Sequence, residues 1–111
     1  MHFYLVSADN IHTEPLEDNL KLVDVIDRTQ GAPYSGGVCE VFPGDPVGFE
    51  YDDDAGICYM VEGEIALAEG GETHTFRPGD VAYIPQKRGL VVEFSTETYG
   101  KFFYVTYPHW R

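Results

Sequence analysis

Residues 61–85, VEGEIALAEGGETHTFRPGDVAYIP, constrain this chain more than any other stretch, because they place three strand-like runs end to end with only turns between them. Gly70-Gly71 sits between two alternating runs, and glycine reaches the positive φ of a tight hairpin without steric penalty. Pro78-Gly79-Asp80 reverses the chain again, proline fixing φ and glycine supplying the corner. The spacing therefore predicts a small antiparallel barrel.

The rest of the chain keeps the rhythm. Strand-like runs fall at Phe3 to Ser7, Lys21 to Asp27, Gly37 to Phe42, Val47 to Tyr51, Ile57 to Val61, Glu64 to Ala68, Glu72 to Phe76, Val81 to Ile84, Leu90 to Ser95 and Lys101 to Tyr107. Short strands parted by Gly, Pro and Asp are the pattern of a sandwich or barrel. The one helical candidate is Thr13 to Leu20, with Thr13 as cap and Pro15 in the first turn. At 111 residues the chain reads as a single all-β domain over 1–111. The apolar start Met1 to Val6 lacks a basic lead and a cleavage pattern, so it reads as a first strand rather than a signal. No apolar run approaches the ~20 residues of a membrane-spanning helix.

Charge narrows the function classes. Nineteen acidic against seven basic side chains give a formal net charge of −12, which disfavours nucleic acid and anionic membrane surfaces as partners. Cys39 and Cys58 read as buried free thiols of a cytoplasmic protein. The run Tyr51-Asp52-Asp53-Asp54 has two readings: oxygen ligands for a weakly bound divalent cation, or a solvated acidic loop. The alternating Asp-x-Asp-x-Asp-Gly ligand loop is absent, which favours the second.

The segments YMVEGEIAL, FRPGDVAYIP and KFFYVTYPHW resemble the cupin superfamily, and most the small branch that includes the ethanolamine-utilisation (EutQ-type) cupin. The resemblance covers roughly residues 44–111 and implies a cupin jelly-roll (double-stranded β-helix) barrel. Cupins that bind metal carry G-x5-H-x-H-x3-E-x6-G, then G-x5-P-x-G-x2-H-x3-N. Gly44, Gly63, Gly79 and Pro85 match, but Glu50, Asp52, Gly56 and Leu90 stand at the ligand positions, with Lys87 at the second motif's inner glycine. A two-residue slip would put Val92 in place of Leu90, and neither side chain can ligate. The imidazoles that select Fe, Ni, Zn or Mn are missing, so no metal site and no cofactor beyond a weak divalent cation are expected. His2, His12, His74 and His109 all lie elsewhere and read as ordinary surface histidines. In the EutQ-type branch the positions of Gly56 and Cys58 carry a glutamate and an aspartate, so this chain departs from its relatives in the pocket.

If the ligand positions face inward, strand parity puts Glu50, Asp52, Gly56 and Cys58 on one barrel wall with Met60 below, and Leu90 opposite. The expected binding residues are therefore Glu50, Asp52, Cys58 and Leu90. Glu50 and Asp52 would form a coupled carboxylate pair or lie hydrated at the mouth. Four functions are open: a small-metabolite binder without the usual His-based site; the acetate kinase activity that the resemblance implies; another cupin enzyme such as an isomerase, lyase or dioxygenase; and a dimeric scaffold. The kinase reading needs cations around phosphate, and the nearest are Lys87 and Arg88. No Ser/His/Asp triad or Cys/His pair is visible. A homodimer is expected through apolar edge strands at residues 3–6 and 102–105.

Overall fold

The computed structural model describes residues 3–111. Two antiparallel sheets face one another. The larger has the order β1-β2-β3-β10-β5-β8, built from Glu14–Glu17, Leu20–Ile26, Ser35–Val41, Gly100–Tyr107, Ala55–Gly63 and Val81–Ile84. The smaller has the order β4-β9-β6-β7, from Val47–Glu50, Val91–Ser95, Ile65–Glu69 and Glu72–Phe76. This is the jelly-roll arrangement, with the chain crossing repeatedly between sheets.

The alternation that marks these strands in sequence is what builds the core. On the large sheet Leu20, Leu22, Cys39, Val41, Cys58, Met60, Phe102 and Tyr104 point inward, and Val47, Ile65, Phe76, Val92 and Phe94 meet them from the small sheet. Phe94 stacks on Phe102 across the gap, with centroids 5.3 Å apart and rings 17° from parallel. Each such aliphatic or aromatic side chain contributes about 1.5–3 kcal/mol through burial. The β6–β7 hairpin closes at Glu69↔Glu72 through Gly70 and Gly71, with φ of 58° and 85°. Positive φ at both central residues is the type I′ geometry that matches strand twist. In the next turn the Arg77 N–H donates to Asp80 Oδ2 (2.8 Å) and the Asp80 N–H to the Arg77 carbonyl (2.9 Å).

Three expectations need correction. Residues 3–7 form no strand, and Phe3 and Leu5 are exposed; Met1 and His2 lie outside the described residues. Thr13 to Leu20 is not helical but leads into β1, which pairs with β2 at the sheet edge. Pro15 suits an edge strand because its missing N–H breaks no inner ladder, and the Thr13 hydroxyl, free of capping, donates to Glu40 Oε1 (2.5 Å). Finally, Phe102 to Val105 lie on β10, which pairs with both β3 and β5 in the middle of the sheet, so they offer no edge for dimerisation.

Candidate functional site

A cavity of about 70 Å³ opens at one end of the barrel, between the two sheets. That is far below the ~300–1,000 Å³ of drug-sized pockets, so it suits a molecule of a few heavy atoms. Its wall is largely apolar and aromatic, lined by Phe49, Tyr51, Phe94, Phe102, Tyr104 and Trp110. Phe49 packs edge-on against both Phe94 (5.6 Å, 87°) and Trp110 (6.0 Å, 84°), which fixes the rings.

Three features of this wall stand out. The first is Asp54, only 6% exposed, whose carboxyl lies in the cavity wall. Burial, and to a lesser degree the neighbouring Asp53 charge, pushes its pKa up to about 6. The second is Thr106, 7% exposed, whose Oγ1 is buried without a hydrogen-bond partner. An unmatched buried hydroxyl costs about 1–3 kcal/mol, so such a group calls for an explanation. The third is Gly56, which pairs with Thr106 across β5 and β10. A Cβ on Gly56 would stand 3.2 Å from Cε1 of the Tyr51 ring, so glycine keeps that ring against the strand and the cradle open.

Local structure explains how Asp54 is brought inside. The loop after β4 is tied to the loop before β9: the Tyr51 N–H donates to the Leu90 carbonyl (3.0 Å), and the Lys87 N–H to the Tyr51 carbonyl (2.9 Å). Asp52 completes the tie, its Oδ1 accepting from the Gly89 N–H (2.7 Å) and its carbonyl from Gln86 Nε2 (3.1 Å). The chain then enters β5 with Asp54, Gly56 and Cys58 on the inner face.

The expected site residues therefore separate. Glu50 and Cys58 line the cavity, Glu50 at its exposed rim. Asp52 and Leu90 do not line it; Asp52 is half-buried in the loop tie and Leu90 packs beside the core. The coupled wall of Glu50 and Asp52 does not form, and Asp54, read in sequence as part of a solvated run, is the carboxyl that faces the cavity. Asp54, Gly56 and Cys58 share one parity, so stepping back from Cys58 by twos would have found it.

Glu50 is exposed, Asp52 is engaged by Gly89, and Gly56 and Leu90 offer no ligand atom, so these residues do not fit the transition-metal centre usual in cupins. Among the described residues no three His, Cys, Asp or Glu side chains converge in metal-holding geometry. Cys58 is no stand-in nucleophile: burial pushes its thiol up to about 12, and burial together with Cys58 pushes Cys39 higher still. None of the described residues lining the cavity is Lys, Arg or His. His74 is exposed on β7, His12 is exposed, and His109 is half-buried with Nε2 2.8 Å from the Ala32 carbonyl oxygen.

One wall is a latch. The chain after β10 folds over the barrel end, and Asp24 on β2 holds it: Oδ1 accepts from the Tyr104 hydroxyl (2.6 Å) and from Trp110 Nε1 (2.8 Å), and Oδ2 from Arg111 Nε (2.8 Å). Sequence parity gives no hint of this, since the partners lie some eighty residues apart.

Known proteins agree with the fold. A family model described as the EutQ-like cupin domain matches residues 34–103. Acetate kinase EutQ of Salmonella typhimurium strain LT2 is 32% identical over 95 residues, covering 81% of this chain. The match spans only 38% of that relative's length. Among solved structures, an ethanolamine utilization protein Q from Salmonella typhimurium LT2 superposes with a TM-score of 0.82 at 23% identity, covering 94% of this chain and 85% of its own. Ectoine synthase from P. lautus gives 0.83 at 15% identity, over 96% and 79%. At these identities the structural likeness establishes the fold alone, while the matched residues 34–103 carry most of the two sheets. The chain belongs to the EutQ-like cupin domain family.

Proposed function

We propose that this chain binds a small metabolite inside the barrel, without a resident transition metal. The observation that carries the reading is the buried Thr106 hydroxyl, which has no hydrogen-bond partner, beside the largely buried Asp54 carboxyl in an otherwise apolar cavity. Folding leaves that hydroxyl unmatched, and a ligand reaching both groups would match it. Phosphoryl transfer of the kind named for the Salmonella relative is disfavoured here, because the cavity wall supplies no cation for a phosphate. Thr106→Val tests the reading through opposite signs. Removing an unmatched hydroxyl is expected to raise unfolding free energy by about 0.5–1.5 kcal/mol while weakening any metabolite that stabilises the wild type in a melting-temperature screen. A hit that stabilises both proteins equally would contradict it. Elemental analysis of untagged protein is expected to show no stoichiometric Fe, Ni or Zn; near-stoichiometric metal surviving dialysis would overturn the metal-free reading.

We also infer a homodimer, formed by a sheet face rather than by edges. Ile57, Tyr59, Val81, Tyr83 and Phe103 are neighbours on the outer face of β10, β5 and β8, and Val81 and Tyr83 are each 67% exposed. Charges lie off its centre, at the end where Lys101 pairs in register with Glu40 and Glu62. An interface of standard size covers about 800 Å² per partner, so a second copy seated two-fold on this face would use these side chains as its apolar centre and residues around them as its rim. Each copy carries −12, so the uncharged face is where two of them meet with least repulsion. Salt is accordingly expected to strengthen the dimer by screening the remainder. Light scattering that returns one chain's mass at micromolar concentration in both low and high salt would rule this out, as would a Tyr59→Glu variant that stays dimeric. A cytoplasmic location fits two buried cysteines left unpaired, since oxidising compartments favour disulfides; recovery of the protein from a secreted or periplasmic fraction would overturn it.

A further inference from the structure

We propose that the cavity ligand is a small organic cation, an alkylammonium ion of a few heavy atoms, held by the Asp54 carboxylate, the Thr106 hydroxyl and the rings of Phe49, Tyr51 and Trp110. This rests on the reading that the cavity is a binding site and names the chemistry it takes.

The two polar groups restrict the ligand. A carboxylate only accepts hydrogen bonds, whereas a hydroxyl both donates and accepts, so a group with several N–H donors can serve Asp54 and Thr106 together. An anion would meet Asp54 and Glu50 with no Lys, Arg or His on the wall to offset them. A neutral alcohol could satisfy Thr106 yet would leave the buried carboxylate without a counter-charge. These groups are neighbours: Thr106 stands opposite Gly56, Asp54 lies two residues before Gly56, and the Tyr51 ring rests over the same glycine.

The aromatic wall supplies the second half of the recognition. Ring faces carry negative quadrupole density and attract ammonium and N-methyl groups, more strongly where water is excluded. Trp110 and Phe49 stand edge to face at 6.0 Å and Asp24 accepts the indole N–H, so the rings are set before a ligand arrives, and the indole already carries one cation, the Arg111 guanidinium 4.5 Å from its centroid. A net charge of −12 further concentrates cations around the molecule. The cavity of about 70 Å³ limits the ligand to the size of ethylammonium or tetramethylammonium, or admits the cationic tip of a longer molecule.

Trp110 is the chain's single tryptophan, so its emission reports the cavity directly. The experiment titrates the full chain with ethylammonium, tetramethylammonium, ethanol and acetate at constant ionic strength and pH 7.5. A saturable change is expected with at least one ammonium probe and with neither ethanol nor acetate. Asp54→Asn is expected to weaken that binding at least tenfold, and Thr106→Val to weaken ethylammonium more than tetramethylammonium, which has no N–H to donate. Circular dichroism of both variants should match the wild type. Saturable binding of acetate or ethanol in place of the ammonium ions would overturn the cation and keep the cavity as a site. Ammonium binding that Asp54→Asn leaves unchanged would overturn the assigned residues. No saturable response to any probe would overturn the cation proposal, and the metabolite screen then judges the cavity separately.

Discussion

Asp24→Ala is expected to lower the unfolding free energy by about 2–4 kcal/mol, which for a chain of this length lowers the melting temperature by roughly 10–15 °C. The wild-type carboxylate accepts from Tyr104, Trp110 and Arg111, all at 2.6–2.8 Å, and its side chain is only 11% exposed. Charge-assisted hydrogen bonds are about twice as strong as neutral ones, so the sum is large for one residue. The Tyr104 hydroxyl keeps the Val23 carbonyl as a weaker acceptor at 3.2 Å, and half-exposed Arg111 can return to water. The indole N–H of Trp110 loses its partner outright. Thermal melts monitored by tryptophan emission check both consequences: a lower midpoint, and a red shift before unfolding as the Trp110 wall loosens. A variant that melts like the wild type would show that the latch contributes nothing.

Asp54→Asn should have the opposite sign. The folded-state pKa of Asp54 stands near 6 against an ordinary 3.8, so the folded protein binds a proton that the unfolded chain releases between those values. Above pH 6 the folded state therefore carries the full desolvation penalty. As pH falls from 6 to 3.8 this group's contribution becomes steadily more favourable, and below 3.8 it no longer varies. Asparagine never ionises, so at pH 7 the variant is expected to be more stable by about 1–2 kcal/mol after allowing for solvent at the cavity mouth. That gain should shrink as pH is lowered through 6 toward 4. Paired thermal melts of wild type and variant from pH 4 to 8 measure it; a constant difference across the range, or a variant less stable at pH 7, would contradict the account. A residue whose removal stabilises the fold while weakening a ligand belongs to a site rather than to the scaffold.

The parts of this molecule that follow from local rules were legible in the sequence. The Gly70-Gly71 hairpin, the Pro78-Gly79-Asp80 corner and the alternating runs from Lys21 onward fold as their spacing predicts, because turn chemistry and period-two burial act within a few residues. Where local signals competed, they misled. Thr13 and Pro15 look like a helix start, yet pairing with β2 and the hydroxyl's bond to Glu40 draw that segment into an edge strand. Phe3 and Leu5 are apolar but find no partner strand, and apolar composition alone does not make one. In the site, strand parity puts Cys58 on the inner face, where it lies, whereas Asp54 rather than Asp52 lines the cavity. The parity that holds in β4 does not continue through the loop after it, where bonds to Leu90, Lys87 and Gly89 reset which side chains face inward. The Asp24 latch was invisible because it joins β2 to residues after β10, and only the folded sheet order brings them together.

The most direct test of the cavity as a binding site is nuclear Overhauser contact between the protein and a bound alkylammonium probe. Contacts are expected from the probe's methyl or methylene protons to the Thr106 methyl, the Tyr51 ring and the Trp110 indole, all of them lost in Asp54→Asn. Contacts confined to the outer faces of the sheets, or contacts to the cavity that persist unchanged in Asp54→Asn, would contradict it.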